Sequence, residues 1–159
     1  MSKKKDMQRA IRAWKEETGE TDIDMHKVAE WWLRKGWPMP QPKSQLELLA
    51  KQLAEAASDQ VETDPKTGNP FRRYHAIKQK SGQSSFYYYV DIQEAPRTAM
   101  LKSLTLRREG MIGDGLMLTY DSMYWSSLHP DEPPIQMEMD LAPDIQWRLN
   151  SADDTDDAA

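Results

Sequence analysis

The 159-residue, 18.4 kDa chain has room for one domain plus a tail, and 38% apolar content supports a modest core. It has no run of 18 apolar residues and no cysteine, so no membrane span is expected and disulfides and thiolate metal sites are excluded. Met1-Ser-Lys-Lys-Lys-Asp6 has no apolar h-region behind it, so no secretory signal is expected and a cytoplasmic location is.

The net charge of −5 conceals segregation. Residues 65–108 hold 9 Lys/Arg against 2 Asp/Glu, whereas residues 131–159 hold 1 against 9. An acidic pI therefore does not argue against a polyanionic partner, because the excess acid lies in the tail.

Residues 5–18 read as a first helix, with Met7, Ala10, Ile11 and Trp14 at helical spacing and Gly19 as the stop. A second helix opens after Asp24, a good N-cap, and closes at Lys35-Gly36. Val28, Ala29, Trp32 and Leu33 make its apolar face, flanked by Trp31 and Trp37. Trp37-Pro-Met-Pro-Gln-Pro42 must be extended, since alternating prolines remove donors and fix the backbone. Ser44-Gln-Leu-Glu47 is a capping box that starts a third helix. Leu46, Leu49, Ala50, Leu53, Ala54 and Ala57 form its apolar stripe.

Asp64-Pro-Lys-Thr-Gly-Asn-Pro70 is a turn-rich loop. Phe71–Ile77 and Phe86–Ile92 then flank the polar turn Lys80-Ser-Gly-Gln-Ser84, the pattern of a β-hairpin. From Pro65 to Val90 there is no acid and there are five cations, Lys66, Arg72, Arg73, Lys78 and Lys80. Such cations either meet phosphate or protect a sheet edge from aggregation. Alternation assigns Phe86, Tyr88, Val90 and Ile92 to the core side, with Tyr87 and Tyr89 covering a neighbouring helix.

A fourth helix starts near Pro96. Gly110, Gly113 and Gly115 weaken it, and a break near 110–115 and a continuous rod stay equally open. The segment 96–128 is Met- and Leu-rich, fit either for a homodimer interface or for packing within the chain. Ile135, Met137, Met139 and Leu141 alternate with polar residues, the period of a strand, so 131–150 is read as a linker and a docking strand for a sheet edge or a protein partner. Ser151–Ala159 is small, acidic and expected to be disordered.

Helix, helix, capped helix, hairpin and trailing helix is an order that resembles the winged helix-turn-helix superfamily. The resemblance covers about Met7 to Ile92 and implies an α+β fold. Its domain would occupy residues 5–94, with a helical extension at 95–130. It also implies double-stranded DNA as partner, with the third helix at the major groove and the hairpin as a wing on the backbone. Lys43, Gln45, Lys51 and Gln52 would then be groove contacts. Lys66, Arg72, Arg73, Lys78, Lys80 and Gln83 would be contacts of the loop, hairpin and wing. Glu47, Glu55 and Asp59 make this third helix less basic than most that lie on phosphate, which confines base contact to its first turn. It also leaves a second reading, a protein-binding adaptor. The phrases Val90–Arg97, Arg107–Asp114 and Ile135–Leu141 resemble an uncharacterised bacterial family, some of it in prophages, which implies a mobile-element setting and no chemistry.

No nucleophile elbow, P-loop or nucleotide-binding glycine fingerprint occurs, and His26, His75 and His129 do not share a metal-ligand spacing. Asp91, Glu94 and Lys102 are too loosely spaced for a nuclease centre, so no enzyme, cofactor or metal is expected.

Overall fold

The computed structural model describes residues 3–153. The fold is α+β, and the chain divides into two compact units, Met1–Lys51 and Gln52–Ala159.

The first unit contains α1 (Lys3–Thr18) and α2 (Met25–Arg34). Asp24 caps α2, its Oδ1 accepting from the His26 amide at 2.9 Å. The chain leaves α1 at Gly19, whose amide donates to the Lys15 carbonyl and whose φ of 69° only glycine adopts without strain. Ala10 and Trp14 from α1 meet Val28 and Trp31 from α2 in the core, with Ile11 and Trp32 packed on it. Sequence periodicity assigned Trp32 and Leu33 to the core and Trp31 to its flank. The structure makes Trp31 the buried ring and leaves Leu33 45% exposed. The reason is polar: Trp31 can be buried because its Nε1 donates to Glu17 Oε2 at 3.0 Å. Trp32 instead donates to the Pro38 carbonyl at 3.0 Å and stacks obliquely on Trp37, centroids 4.5 Å apart, which anchors the proline-rich link.

Helix α3 (Gln45–Asp59) begins at the expected capping box. The Glu47 amide donates to Ser44 Oγ at 3.1 Å, and the Ser44 amide donates to Glu47 Oε2 at 3.4 Å. None of its residues is buried.

The second unit holds two antiparallel hairpins. Strands β1 (Val61–Thr63) and β2 (Pro70–Arg72) pair across the 64–69 loop, which Asp64 organises by accepting from the Lys66 amide and the Thr67 hydroxyl. Strands β3 (Tyr74–Ser81) and β4 (Ser84–Asp91) pair along their full length through a two-residue turn, Gly82-Gln83. The single strand expected over Phe71–Ile77 is thus broken at Arg73, whose bend starts a second sheet.

Helix α4 (Arg97–Leu128) packs on β3 and is continuous, so the rod outcome holds despite three internal glycines, each costing about 1 kcal/mol relative to alanine. Gly115 lies against the chain's own later segment: a Cβ there would come within 2.7 Å of Met139 Cε, the flexible end of that side chain. The expected strand at Ile135–Leu141 does not form. Its amides find side chains rather than a sheet edge: Ile135 donates to Ser126 Oγ at 3.1 Å and Asp140 to Glu138 Oε1 at 2.9 Å. The alternating methionines are a segment laid along α4. Helix α5 (Ala142–Asp153) follows, where a linker and tail were expected. Pro143 in its first turn and the Ala142 amide bonded to Asp140 Oδ1 at 3.2 Å are start signals the alternation masked. The expected disordered tail, Ser151–Ala159, therefore opens inside α5; residues 154–159 lie outside the described residues. No described helix is long and apolar enough to cross a membrane.

Trp14, 2% exposed, is the most deeply buried side chain of the first core. Trp14→Ala should destabilise this unit by about 3–5 kcal/mol, read as a lower urea midpoint at constant slope.

Candidate nucleic-acid interface

The β3–β4 hairpin sorts its residues by register. Tyr74, Ala76, Lys78 and Lys80 share one face with Asp91, Tyr89, Tyr87 and Ser85. His75, Ile77, Gln79 and Ser81 share the other with Val90, Tyr88, Phe86 and Ser84. Burial divides the hairpin along its length instead. His75 and Ile77, at 5% and 2% exposure, lie in its base; from Lys78 through Tyr89 every residue is exposed. Lys78 stands opposite Tyr87, and Lys80 follows about 7 Å along the strand. Gly82 takes a φ of 62° at the turn, so this tip tolerates no side chain there without strain.

The base of the hairpin is fixed by Arg73. Its Nη1 donates to Glu62 Oε2 at 3.0 Å and its Nη2 to Asp91 Oδ2 at 2.7 Å. The Arg73 amide donates to the Gln60 carbonyl, and its carbonyl accepts from the Ile92 amide. Hydrogen bonds to Asp91 and then Glu62 raise the guanidinium's pKa further above its already high value. The bond from Arg73 first, and that from the Gln93 amide second, hold the Asp91 carboxyl below its ordinary value. Arg73, expected on the sequence as a phosphate contact, spends its charge inside the fold. Asp91, weighed for a metal site, is its counter-ion.

The other expected contacts divide between the units. Lys43 and Gln45 lie in the link to α3 and at its first residue, both exposed, and Lys51 is exposed further along the helix. Gln52 opens the second unit. Lys66, Arg72, Lys78, Lys80 and Gln83 are exposed, and among the described residues no ion pair engages these four cations. The structure adds Lys102 of α4, which lines a shallow recess of about 490 Å³ together with Lys78, Leu101, Thr105, Leu106 and Glu109.

Sequence alternation missed the aromatic content of this surface. Tyr88 was assigned to the core and is 39% exposed; Phe86 and Tyr87 are 48% and 57% exposed. Tyr89 does reach a helix, its hydroxyl 3.2 Å from Ser58 Oγ of α3. Alternation assumes a core along the whole strand, and here it reaches only the base. The signal available was the placement of Phe86-Tyr-Tyr-Tyr89 right after a polar, lysine-bearing turn.

Of the histidines, His75 places Nε2 2.9 Å from the Arg72 carbonyl, and His129 stacks on Trp125 with Nδ1 2.9 Å from its carbonyl. Both have structural partners. No three His, Asp or Glu side chains gather as a metal site among the described residues.

Comparison with known protein families, curated sequences and solved structures finds no match to this chain.

The Asp91–Arg73 pair carries a pH signature. Asp91 titrates lower folded than unfolded, so its stabilisation is complete above the ordinary carboxylate pKa and is lost as pH falls through the depressed folded value. Thermal unfolding of the wild type and Asp91→Asn should therefore differ at neutral pH, with the wild type higher, and the gap should close in acid. A gap that persists unchanged to pH 2 would count against the pairing.

Proposed function

We propose that the chain is a non-enzymatic double-stranded DNA-binding protein that uses the β3–β4 hairpin as a wing and the start of α3 for base contacts. In this reading the chain is a transcriptional regulator of winged-helix type or a mobile-element DNA-binding component. The observation that carries it is the exposed, acid-free outer hairpin, where Lys78 and Lys80 have no described ion-pair partner while the neighbouring Arg73 is consumed structurally. Edge protection alone would explain the lysines but not the aromatic rings beside them. The alternative, a protein-binding adaptor, would use the winged platform together with the Ile135–Leu141 segment, which here forms no strand.

A second reading is favoured by one observation. Tyr87 exposes its ring opposite Lys78, and Phe86 and Tyr88 expose theirs on the other face of the same outer hairpin; exposed strand aromatics near cations stack unpaired bases. Single-stranded nucleic acid is therefore the alternative ligand.

Both readings share a salt-dependence test. Replacing Lys78 and Lys80 by Ala should flatten the log–log salt slope of duplex binding by about 1.8, or about 0.9 per lost phosphate contact. Fluorescence anisotropy on a labelled mixed-sequence duplex and on its single strand, from 50 to 300 mM salt, measures this. Tighter binding to the single strand selects the second reading, and a slope the double variant leaves unchanged removes the hairpin from either.

Gln45 tests specificity separately. Gln45→Ala should lose about 1–3 kcal/mol of discrimination at one base pair, with little change in non-specific affinity. Selection from random duplexes, run on both proteins, is the measurement.

A further inference from the structure

Only Ser103 of the 32 residues in α4 is buried. A helix with apolar side chains on all sides and so little cover is ordinarily an interior helix. Its faces are not equivalent. Gly115, Thr119, Ser122 and Ser126 fall on one side, where the chain's own segment lies: Met139 sits against Gly115 and the Ile135 amide donates to Ser126 Oγ. On the opposite side Leu106, Gly110, Gly113, Met117, Tyr120 and Tyr124 recur at alternating steps of four and three, the spacing of a helix–helix seam. Met117, Tyr120 and Tyr124 are 57%, 54% and 68% exposed, and among the described residues nothing beyond the helix's own backbone lies within 4 Å of a Cβ built at Gly110 or Gly113.

We propose that this seam pairs with the same seam of a second copy, antiparallel, to form a homodimer. Charge and shape both select that occupant and that direction. All four cations of α4, Arg97, Lys102, Arg107 and Arg108, precede its three acids, Glu109, Asp114 and Asp121. About a two-fold near residue 115, antiparallel pairing sets the half with the four cations, net positive even with Glu109 and Asp114, on the half that holds Asp121; parallel pairing sets like on like. From Gly110 on, the seam is also graded in size, two glycines followed by Met117, Tyr120 and Tyr124. With Gly113 facing Met117 of the second copy, Gly110 meets Tyr120, Leu106 meets Tyr124 and Arg107 meets Asp121. Two-fold symmetry makes each contact twice. Arg107 and Asp121 are exposed and have no described ion-pair partner of their own. The two glycines weaken the helix, and among the described residues nothing packs close against them; close approach of a second helix gives them a use.

The full-length chain should sediment at equilibrium as a dimer of twice 18.4 kDa. Met117→Glu/Tyr120→Glu changes only side chains that are exposed in the single chain, so helical circular dichroism should persist while the mass falls to that of the monomer. Arg107→Asp should weaken the dimer about tenfold, two pairs being replaced by like charges. Adding Asp121→Arg should restore wild-type affinity within about threefold, the pairs being re-formed in reverse. A wild type that stays monomeric at 100 µM (about a hundredfold above a micromolar Kd) overturns the proposal. So does a dimer that survives the seam variant, or a charge swap that fails to rescue, which is the result parallel pairing gives.

Discussion

Arg73 is the joint on which the second unit depends. It stands where one hairpin ends and the next begins, and it engages both sides of the bend: the amide bonds Gln60, the carbonyl Ile92, and the two terminal guanidinium nitrogens Glu62 and Asp91, with only Nε buried and unbonded. Glu62 belongs to the first hairpin and Asp91 to the end of the second, so a single cation fixes both to one origin. The bend would otherwise be a hinge with two short sheets on either side. Its cost is a cation drawn from the surface, which leaves Lys78, Lys80 and Arg72 as the charges offered outward.

From that joint the hairpin projects with a graded environment. His75 and Ile77 sink into the base in β3, the strand that α4 packs on, while the outer half has no such support. A strand pair exposed on both faces gains little from burial, and its ladder and turn hold it. A ligand that neutralised the lysines and covered the rings would supply what the fold does not. The same logic applies to α4, whose Met117, Tyr120 and Tyr124 are uncovered in the single chain.

The elements that were legible from sequence were those whose cause is local. Ser44 and Glu47 satisfy each other's amides whatever surrounds them, Asp24 caps α2 by itself, and the hairpin follows from a glycine-bearing two-residue turn between β-prone runs. The misreadings share the opposite character. Ile135–Leu141 carries strand periodicity, but a strand needs an edge and this segment runs beside α4, with Met139 against Gly115. Trp31 and Trp32 are chemically alike, and a partner for one indole N–H, Glu17 on a different helix, decided which is buried.

For the candidate site the division is the same. Composition and order by themselves determined that an acid-free, cation-bearing hairpin with a polar turn follows three helices, because charge sign and turn chemistry are properties of residues. Which cations remain available was decided only by tertiary structure. Arg72 and Arg73 are adjacent and identical in kind, yet one is exposed and the other is held between two carboxylates that come together only when β1 and β4 are both in place. Exposure of Phe86, Tyr87 and Tyr88 was decided in the same way, since alternation tells which residues share a face and only packing tells whether anything covers it.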